Sequence, residues 1–511
     1  MSDIFERSRG VLKQYFELPT TFEKNLAKYF LKKMSFVPSK RFGCFSHGGV
    51  PLSSAKNEDG IPFASIDDSD THTLVFGATG SKKSRLVAMP TVKILGQAKE
   101  SMIIADPKAE IYERTASDLI KNGYQVFTVD LRNPNLGNGW NPLAIPLSLY
   151  KNGKEDMDRA YEFANDISVN LTRLGIARTK DPYWENSAAS FFFGLIMLLF
   201  KMVEDQNIKS EHVTIGNLLR LREAICKNYS FGSAPTPLVA YAKSKPFINS
   251  LLIGTIDTAD STRAGILSTF DQNMRTFSIQ PNLLKMLSDD DQVLDSLLDK
   301  PTAVFLIVPD EKTSYHSLVS LFIKQSYEYL IYKNQDAKSK EQEVKQRVNY
   351  ILDEFSSLPT INDFPAMITA ARSRNIRFVL FVQSKHQLDL RYGEESETIR
   401  ANCNNWIFLV SREISLLNEL SVLSGNRRLK DGVFTPVLTV TDLQRLDKFR
   451  GEALIFSERK KPYIASLLDI NEYDGGKYEP YKQHAHTRED HTIDFSEIFS
   501  QQKSKDVIFD W

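Results

Sequence analysis

Thr73-Leu74-Val75-Phe76-Gly77-Ala78-Thr79-Gly80-Ser81-Lys82-Lys83-Ser84 is an apolar run, a glycine-rich turn and a Lys-Ser pair that opens a helical pattern. That order is the layout of a phosphate-binding P-loop. Backbone N–H groups and a helix N-terminus hold the phosphates, the lysine reaches the terminal ones, and the hydroxyl holds Mg²⁺. Against the template G-x-x-x-x-G-K-[ST], Gly77 takes the first position, and Lys83 and Ser84 take the last two. Lys82 stands where the second glycine belongs. The loop residues Gly77, Ala78, Thr79, Gly80, Ser81, Lys82, Lys83, Ser84 and Arg85 are therefore the candidates for ATP binding.

A P-loop calls for an acidic strand end elsewhere. Val348-Asn349-Tyr350-Ile351-Leu352-Asp353-Glu354 supplies one, in the Walker B arrangement. Asp353 is the candidate Mg²⁺ ligand together with Ser84, and Glu354 is the candidate general base that orients the attacking water. A later strand ends at Gln383-Ser384, where Gln383 is placed to sense the terminal phosphate. Arg372 and Arg374 lie between these two strands. They are candidates for an arginine finger presented to a neighbouring subunit, with surface ion pairs or DNA phosphates as the alternative.

Working outward, short β-branched runs at Leu74–Phe76, Met102–Ala105 and Val126–Val129 alternate with helical stretches, and strands resume at Ala303–Val308, Tyr350–Asp353, Phe378–Val382 and Trp406–Val410. The pattern is that of βαβ units and a mostly parallel sheet. Residues from about 150 to 262 read as helices only. Asp106-Pro107 reads as a helix start with Asp106 as N-cap. The last forty residues read as a polar, mostly extended tail, and residues 1–45 as mixed helix.

The chain has 511 residues and no net charge, so no global field argues for or against nucleic acid and any basic surface is local. Cys44, Cys226 and Cys403 form no C-x-x-C pair, which speaks against a disulfide framework or a zinc site and for a reducing cytosol. The most apolar run, Phe191–Phe200, falls short of the roughly 18–20 residues needed to span a bilayer and reads as a buried helix.

Further segments add to the two Walker strands. They are Asp106-Pro107-Lys108-Ala109-Glu110, Gly139-Trp140-Asn141-Pro142-Leu143, Asp181-Pro182-Tyr183-Trp184-Glu185-Asn186-Ser187-Ala188, Leu267-Ser268-Thr269 and Arg372-Ser373-Arg374-Asn375-Ile376-Arg377. In this order, over about residues 70–457, the chain resembles the VirD4/TraG-like coupling proteins of type IV secretion, the conjugative DNA transfer ATPases. The resemblance implies an α/β, RecA-like P-loop NTPase domain over 61–150 and 263–470. It also implies an inserted all-α domain over 151–262, flanked by an N-terminal helical or linker segment over 1–60 and a polar tail over 471–511. It implies an ATP- and Mg²⁺-dependent motor that receives a relaxase or relaxosome on single-stranded DNA and delivers it to a secretion channel. It implies a ring of six subunits, with Gln383 at the sensor position and the Arg372 region at the trans-acting arginine.

The sequence departs from the family in three ways. Family members usually carry N-terminal transmembrane helices, and no stretch here reads as one. A cytoplasmic protein recruited to the inner face of the membrane by a partner, and monomeric when alone, is the expectation. Lys82 and Ala109 replace family glycines; a lysine in the loop could crowd it, point outward or add positive charge toward the phosphates, whereas alanine reads as a helix-favouring change. The second functional expectation is accordingly an adaptor that binds relaxosome and DNA without hydrolysing nucleotide.

Overall fold

The structure, a computed structural model, describes residues 40–41, 45–172, 182–227, 234–309, 315–339, 346–429, 433–458, 460–481, 483 and 485–499. Most of the expected helical segment before residue 45, Asp181 of its motif, Lys430 and His484 lie outside them.

Fourteen strands occur among the described residues: β1 Lys40–Arg41, β2 Val50–Lys56, β3 Pro62–Asp67, β4 Thr73–Phe76, β5 Ser101–Asp106, β6 Gln125–Asp130, β7 Thr302–Ile307, β8 Val348–Leu352, β9 Ile376–Val382, β10 Asn405–Phe408, β11 Asn426–Arg428, β12 Phe434–Pro436, β13 Glu452–Ser457 and β14 Tyr463–Ser466. Nine of them form one sheet in the order β14-β13-β10-β4-β9-β8-β5-β7-β6. The pairs β10–β4, β4–β9, β9–β8 and β8–β5 are parallel, and β13 and β14 add an antiparallel edge. All seven strands expected from the apolar runs are present. Strands β4, β8 and β9 are buried on both faces, which is why they read as unbroken apolar runs rather than alternating ones.

The chain divides into two compact units. One comprises the described residues of Met1–Val126, Asp295–Leu306 and Leu330–Lys482; the other comprises those of Phe127–Leu294, Ile307–Tyr329 and Gln483–Trp511.

In the first unit β2 and β3 form an antiparallel hairpin with β1 at its edge, a small sheet that the sequence pattern does not anticipate. A buried polar cluster anchors it. Arg377, on β9, donates to Asn349 Oδ1 at 2.7 Å and to the Gly48 and Ser69 carbonyls, and its guanidinium lies 3.1 Å from Glu100. Every one of those donors faces an acceptor, which is what lets a guanidinium sit in the interior.

In the second unit, every element between Ala144 and Asn217 is helical, as is every one from there to Leu294 among the described residues. Helix Tyr183–Glu204 is long and apolar enough to cross a bilayer, but 72% of its apolar window is buried within the protein. Phe191, Phe192 and Phe200 are fully buried on it, and Phe270 of the helix Asp260–Ser278 packs edge-on against the first two. The Trp140 motif has a packing role here: its indole N–H donates to Gln325 at 3.1 Å, and Asn141 donates to the Val213 carbonyl at 2.8 Å.

The described residues of the polar tail between 477 and 494 form neither helix nor strand, and the tail is anchored at points along it. Arg488 donates to the Pro134 and Gly137 carbonyls and pairs with Asp289. Phe495 and Phe499 are buried. Scattered anchors of this kind carry no periodicity, so a polar composition hides them.

Candidate nucleotide site

Parallel strands point their C-terminal ends to the same edge of a sheet, and ligands of open α/β sheets bind in the crevice outside that edge. Here the edge gathers the ends of β4, β9 and β8, adjacent in that order and all in the first unit. The loop after Phe76, Gln383 after Val382, and Asp353-Glu354 after Leu352 therefore meet although they are separated by hundreds of residues.

The loop is held at its root. Gly77 N–H donates to the Val382 carbonyl at 3.1 Å and Ala78 N–H to the Val410 carbonyl at 2.8 Å. A Cβ on Gly77 would collide with Ser81 Oγ, so the first glycine is required by close approach. Gly80 and Lys82 both have positive φ, +77° and +66°. A helix then starts, widened to π geometry over Ser84–Ala88 before becoming regular over Met89–Ala98.

Lys83 is buried and donates to the loop's own Gly77 carbonyl at 2.6 Å. Burial draws its ammonium below the usual lysine range, partly offset by Asp353 and Glu354. Ser84 donates its hydroxyl to Asp353 Oδ2 at 2.8 Å. The Asp353 carboxyl is pushed up by burial, with the Ser84 bond and the Lys83 charge acting the other way. Glu354 has positive φ, +55°, and its carboxylate accepts from Gln383 Nε2 at 3.2 Å, while the Gln383 carbonyl accepts from Thr79 Oγ1 at 3.2 Å.

The site residues fit a nucleotide with Mg²⁺. Ser81 Oγ is buried without a hydrogen-bond partner among the described residues, at the close approach of the loop to Gly77. A hydroxyl and a carboxylate, Ser84 and Asp353, already stand at hydrogen-bond distance as a hard oxygen pair of the kind Mg²⁺ takes.

The remaining candidates fall elsewhere. Lys82 and Arg85 both turn toward Asp469: Arg85 donates to it at 2.6 Å, and Lys82 Nζ lies 3.8 Å from its other oxygen. Lys82 thus neither crowds the loop interior nor leaves its charge free. Arg372 and Arg374 occupy a 3₁₀ turn just before β9, whereas Gln383 follows the strand's other end. Seven residues of strand put roughly 20 Å between them, so the structure does not bring these arginines into this chain's own site.

Two residues escape the motif reading. Asp106 is not a helix N-cap. It ends β5, near Asp353, which follows the neighbouring parallel strand β8 and donates its N–H to the Ala105 carbonyl, and the Tyr112 N–H donates to Asp106 at 2.8 Å. Burial pushes its carboxyl up to about 7, with the nearby Asp353 and Glu110 charges adding to the effect. The helix begins at Glu110, after Ala109, which has φ +60°. Ala109 is therefore no helix-favouring replacement: the position wants left-handed backbone, which glycine gives without penalty. Lys108, 3.9 Å from Glu354, is the second missed residue. The signal for both was the Asp106–Glu110 stretch, which carries no mechanism until its neighbours in space are known.

Comparison with known proteins agrees with this geometry. The family model for type IV secretory system conjugative DNA transfer matches residues 27–431. The type IV secretion system-coupling protein VirD4 of Bartonella henselae is 23% identical over 371 residues, 71% of this chain and 53% of the relative. That of Bartonella quintana is 23% identical over 336 residues, 64% and 48%. The chain thus spans about half the length of the curated relatives it matches. Among solved structures, the conjugative coupling protein TrwB in its sulphate-bound trigonal form aligns with a TM-score of 0.57 at 16% identity, over 89% of this chain and 98% of that one. TrwB with the non-hydrolysable analogue ADPNP aligns at 0.55 and 16% identity over 90% and 98%, and TrwB with ADP and Mg²⁺ at 0.55 and 16% over 86% and 97%. The fold is that of a RecA-like P-loop NTPase, a large, mostly parallel sheet flanked by helices.

Proposed function

The chain belongs to the type IV secretory conjugative DNA transfer family, and from that premise we propose that it is an ATP-dependent coupling protein that passes relaxase-bound single-stranded DNA to a secretion channel. One observation carries the reading: Lys83, Ser84, Asp353, Glu354 and Gln383 converge at one sheet edge. A packing role alone needs no such set of groups in one place.

Each residue has a task. Lys83, released from the Gly77 carbonyl, binds the terminal phosphates. Ser84 and Asp353 hold Mg²⁺, which neutralises charge on the phosphate oxygens when bound. Glu354 accepts a proton from the attacking water, and Gln383 sets its orientation. Arg372 acts only from a second copy, consistent with a chain that is monomeric alone and forms a ring on nucleotide and DNA. Work at the inner face of the membrane, through a membrane recruiter, completes the proposal.

ATP turnover by the purified protein, with and without single-stranded DNA, tests it. Mg²⁺-dependent hydrolysis that Lys83→Ala and Glu354→Gln abolish is expected. The second reading, a non-hydrolysing adaptor, is favoured by one feature: Lys82 holds left-handed backbone in the loop and ties it to Asp469. Nucleotide binding without turnover, with or without DNA, would select that reading. Mixing Arg372→Ala protein with Glu354→Gln protein tests the trans role, since partial rescue requires an arginine supplied across an interface.

A further inference from the structure

Phe449 is 78% exposed. A single exposed aromatic is ordinary by itself. The position of this one is not, because its ring centroid lies 5.6 Å from Nζ of Lys82, the residue that departs from the P-loop rule. Lys448 flanks the same ring at 5.2 Å.

The turn that carries it is fixed by a closed set of bonds. Asp447 accepts the Phe449 N–H at 2.8 Å, Glu452 accepts the Asp447 N–H at 2.9 Å, and the Glu452 N–H returns to the Asp447 carbonyl at 3.0 Å. Gly451, with φ +64°, lies so close to the Leu467 carbonyl that a Cβ there would collide with it. Leu467 N–H donates back to the Gly451 carbonyl at 2.9 Å. Two residues on, Asp469 holds Arg85 and Lys82. A rigid turn thus presents an aromatic face to water, one extended lysine side chain away from the phosphate loop.

We propose that Phe449 is the base platform of the nucleotide site, stacking the purine of a nucleoside triphosphate whose phosphates lie in the Gly77–Ser84 loop. The inference rests on the nucleotide reading above and adds the group that holds the base. A rigid ring with an open face suits a planar base, because stacking needs a π-face and little lost side-chain entropy. Lys82 and Lys448 both lie within cation–π distance of the ring, and they add positive charge where a nucleoside triphosphate would pass from the loop to the ring. Stacking alone reads no exocyclic group, so adenine and guanine nucleotides should be accepted alike. Lys82 links the two parts in this picture: its backbone belongs to the loop, and its ammonium reaches both the Phe449 ring and Asp469.

Isothermal titration with Mg²⁺ and ATP, GTP or inorganic tripolyphosphate tests the idea. Tripolyphosphate reports the loop alone. Phe449→Ala should weaken ATP and GTP by roughly ten-fold or more, the size of a base–aromatic stack, and leave tripolyphosphate affinity unchanged. Phe449→Trp should retain ATP affinity and show an emission change on ATP, beyond that of the unsubstituted protein, which tripolyphosphate does not cause. Unchanged ATP affinity in the alanine variant, or equal losses for ATP and tripolyphosphate, would overturn the platform while leaving the nucleotide reading intact. If the unsubstituted protein bound neither ATP nor tripolyphosphate, the nucleotide reading itself would fall and the platform with it.

Discussion

Gln383 donates to Glu354 across 3.2 Å, and it accepts from Thr79 of the phosphate loop on its other face at the same distance. The candidate base is thereby wired to the loop through one amide, because β9 runs between β4 and β8. Lys108 stands 3.9 Å from the same carboxylate. The arrangement orients the base and couples its position to whatever occupies the loop.

Gln383→Ala should therefore lower kcat by roughly 10- to 100-fold and leave ATP affinity within about two-fold, since it removes positioning and not phosphate contact. Glu354→Gln should cost more, on the order of 10²–10⁴ in rate, the usual contribution of a general base. Single-turnover hydrolysis beside equilibrium ATP binding separates the two. A Gln383→Ala protein that loses affinity and keeps kcat would refute the relay.

Lys82 and Ala109 share left-handed backbone but not surroundings. Ala109→Gly should stabilise the protein by about 0.5–1 kcal/mol, as relief of the Cβ clash exceeds the added chain entropy. Lys82→Gly gains the same relief but gives up a partly exposed ion pair with Asp469, worth about 0–1 kcal/mol. It should be close to neutral. Urea denaturation of both variants gives the comparison, and a Lys82→Gly gain as large as that of Ala109→Gly would show that the ion pair contributes nothing.

His72 supplies a pH dependence away from the site. Its Nδ1 accepts the Phe378 N–H at 3.0 Å, and its Nε2 lies 2.9 Å from the Ile368 carbonyl, so the ring is neutral with its proton on Nε2. Burial pulls its pKa down to about 4, with the Ile368 bond opposing and the Arg372 and Arg377 charges adding. Between pH 4 and 6.5 the unfolded chain binds the proton that the folded one refuses, so stability falls as pH drops through that window. The loss amounts to at most roughly 3 kcal/mol. Comparing unfolding free energies of the unsubstituted and His72→Gln proteins from pH 7 to 4 should show their difference shrink toward acid. A constant difference would mean that the histidine does not titrate in the fold.

Arg427 and Arg428 lie on β11, paired antiparallel with β12, and Arg428 is exposed. With no net charge on the chain, the single-stranded DNA binding proposed above would come from local clusters such as this one. Oligonucleotide affinity should fall steeply with salt, and replacing both arginines by alanine should weaken binding and flatten the salt slope by about one to two counterions. Fluorescence anisotropy across a salt series reads this directly. An unchanged slope in the double variant would take β11 out of the DNA path.

The strands of the sheet and the two Walker ends were legible in the sequence because their signal is local. β4 and β9 are buried throughout, so each reads as an apolar run, and the runs lead into the glycine-rich loop at Gly77 and into the polar Gln383. The sequence alone could name Lys83, Ser84, Asp353, Glu354 and Gln383, since their types and spacing carry the chemistry. It could not say that Asp106 stands beside Asp353, because that adjacency follows from the pairing of β5 with β8, across nearly 250 residues of chain. Nor could it assign Asp469 to Lys82 and Arg85, or an exposed ring to Phe449, since ion pairs and exposed rings leave no periodic trace. The same glycine-to-alanine change reads as helix-favouring in one dimension and strained in three, because φ at Ala109 is set by the turn that joins β5 to its helix and not by propensity.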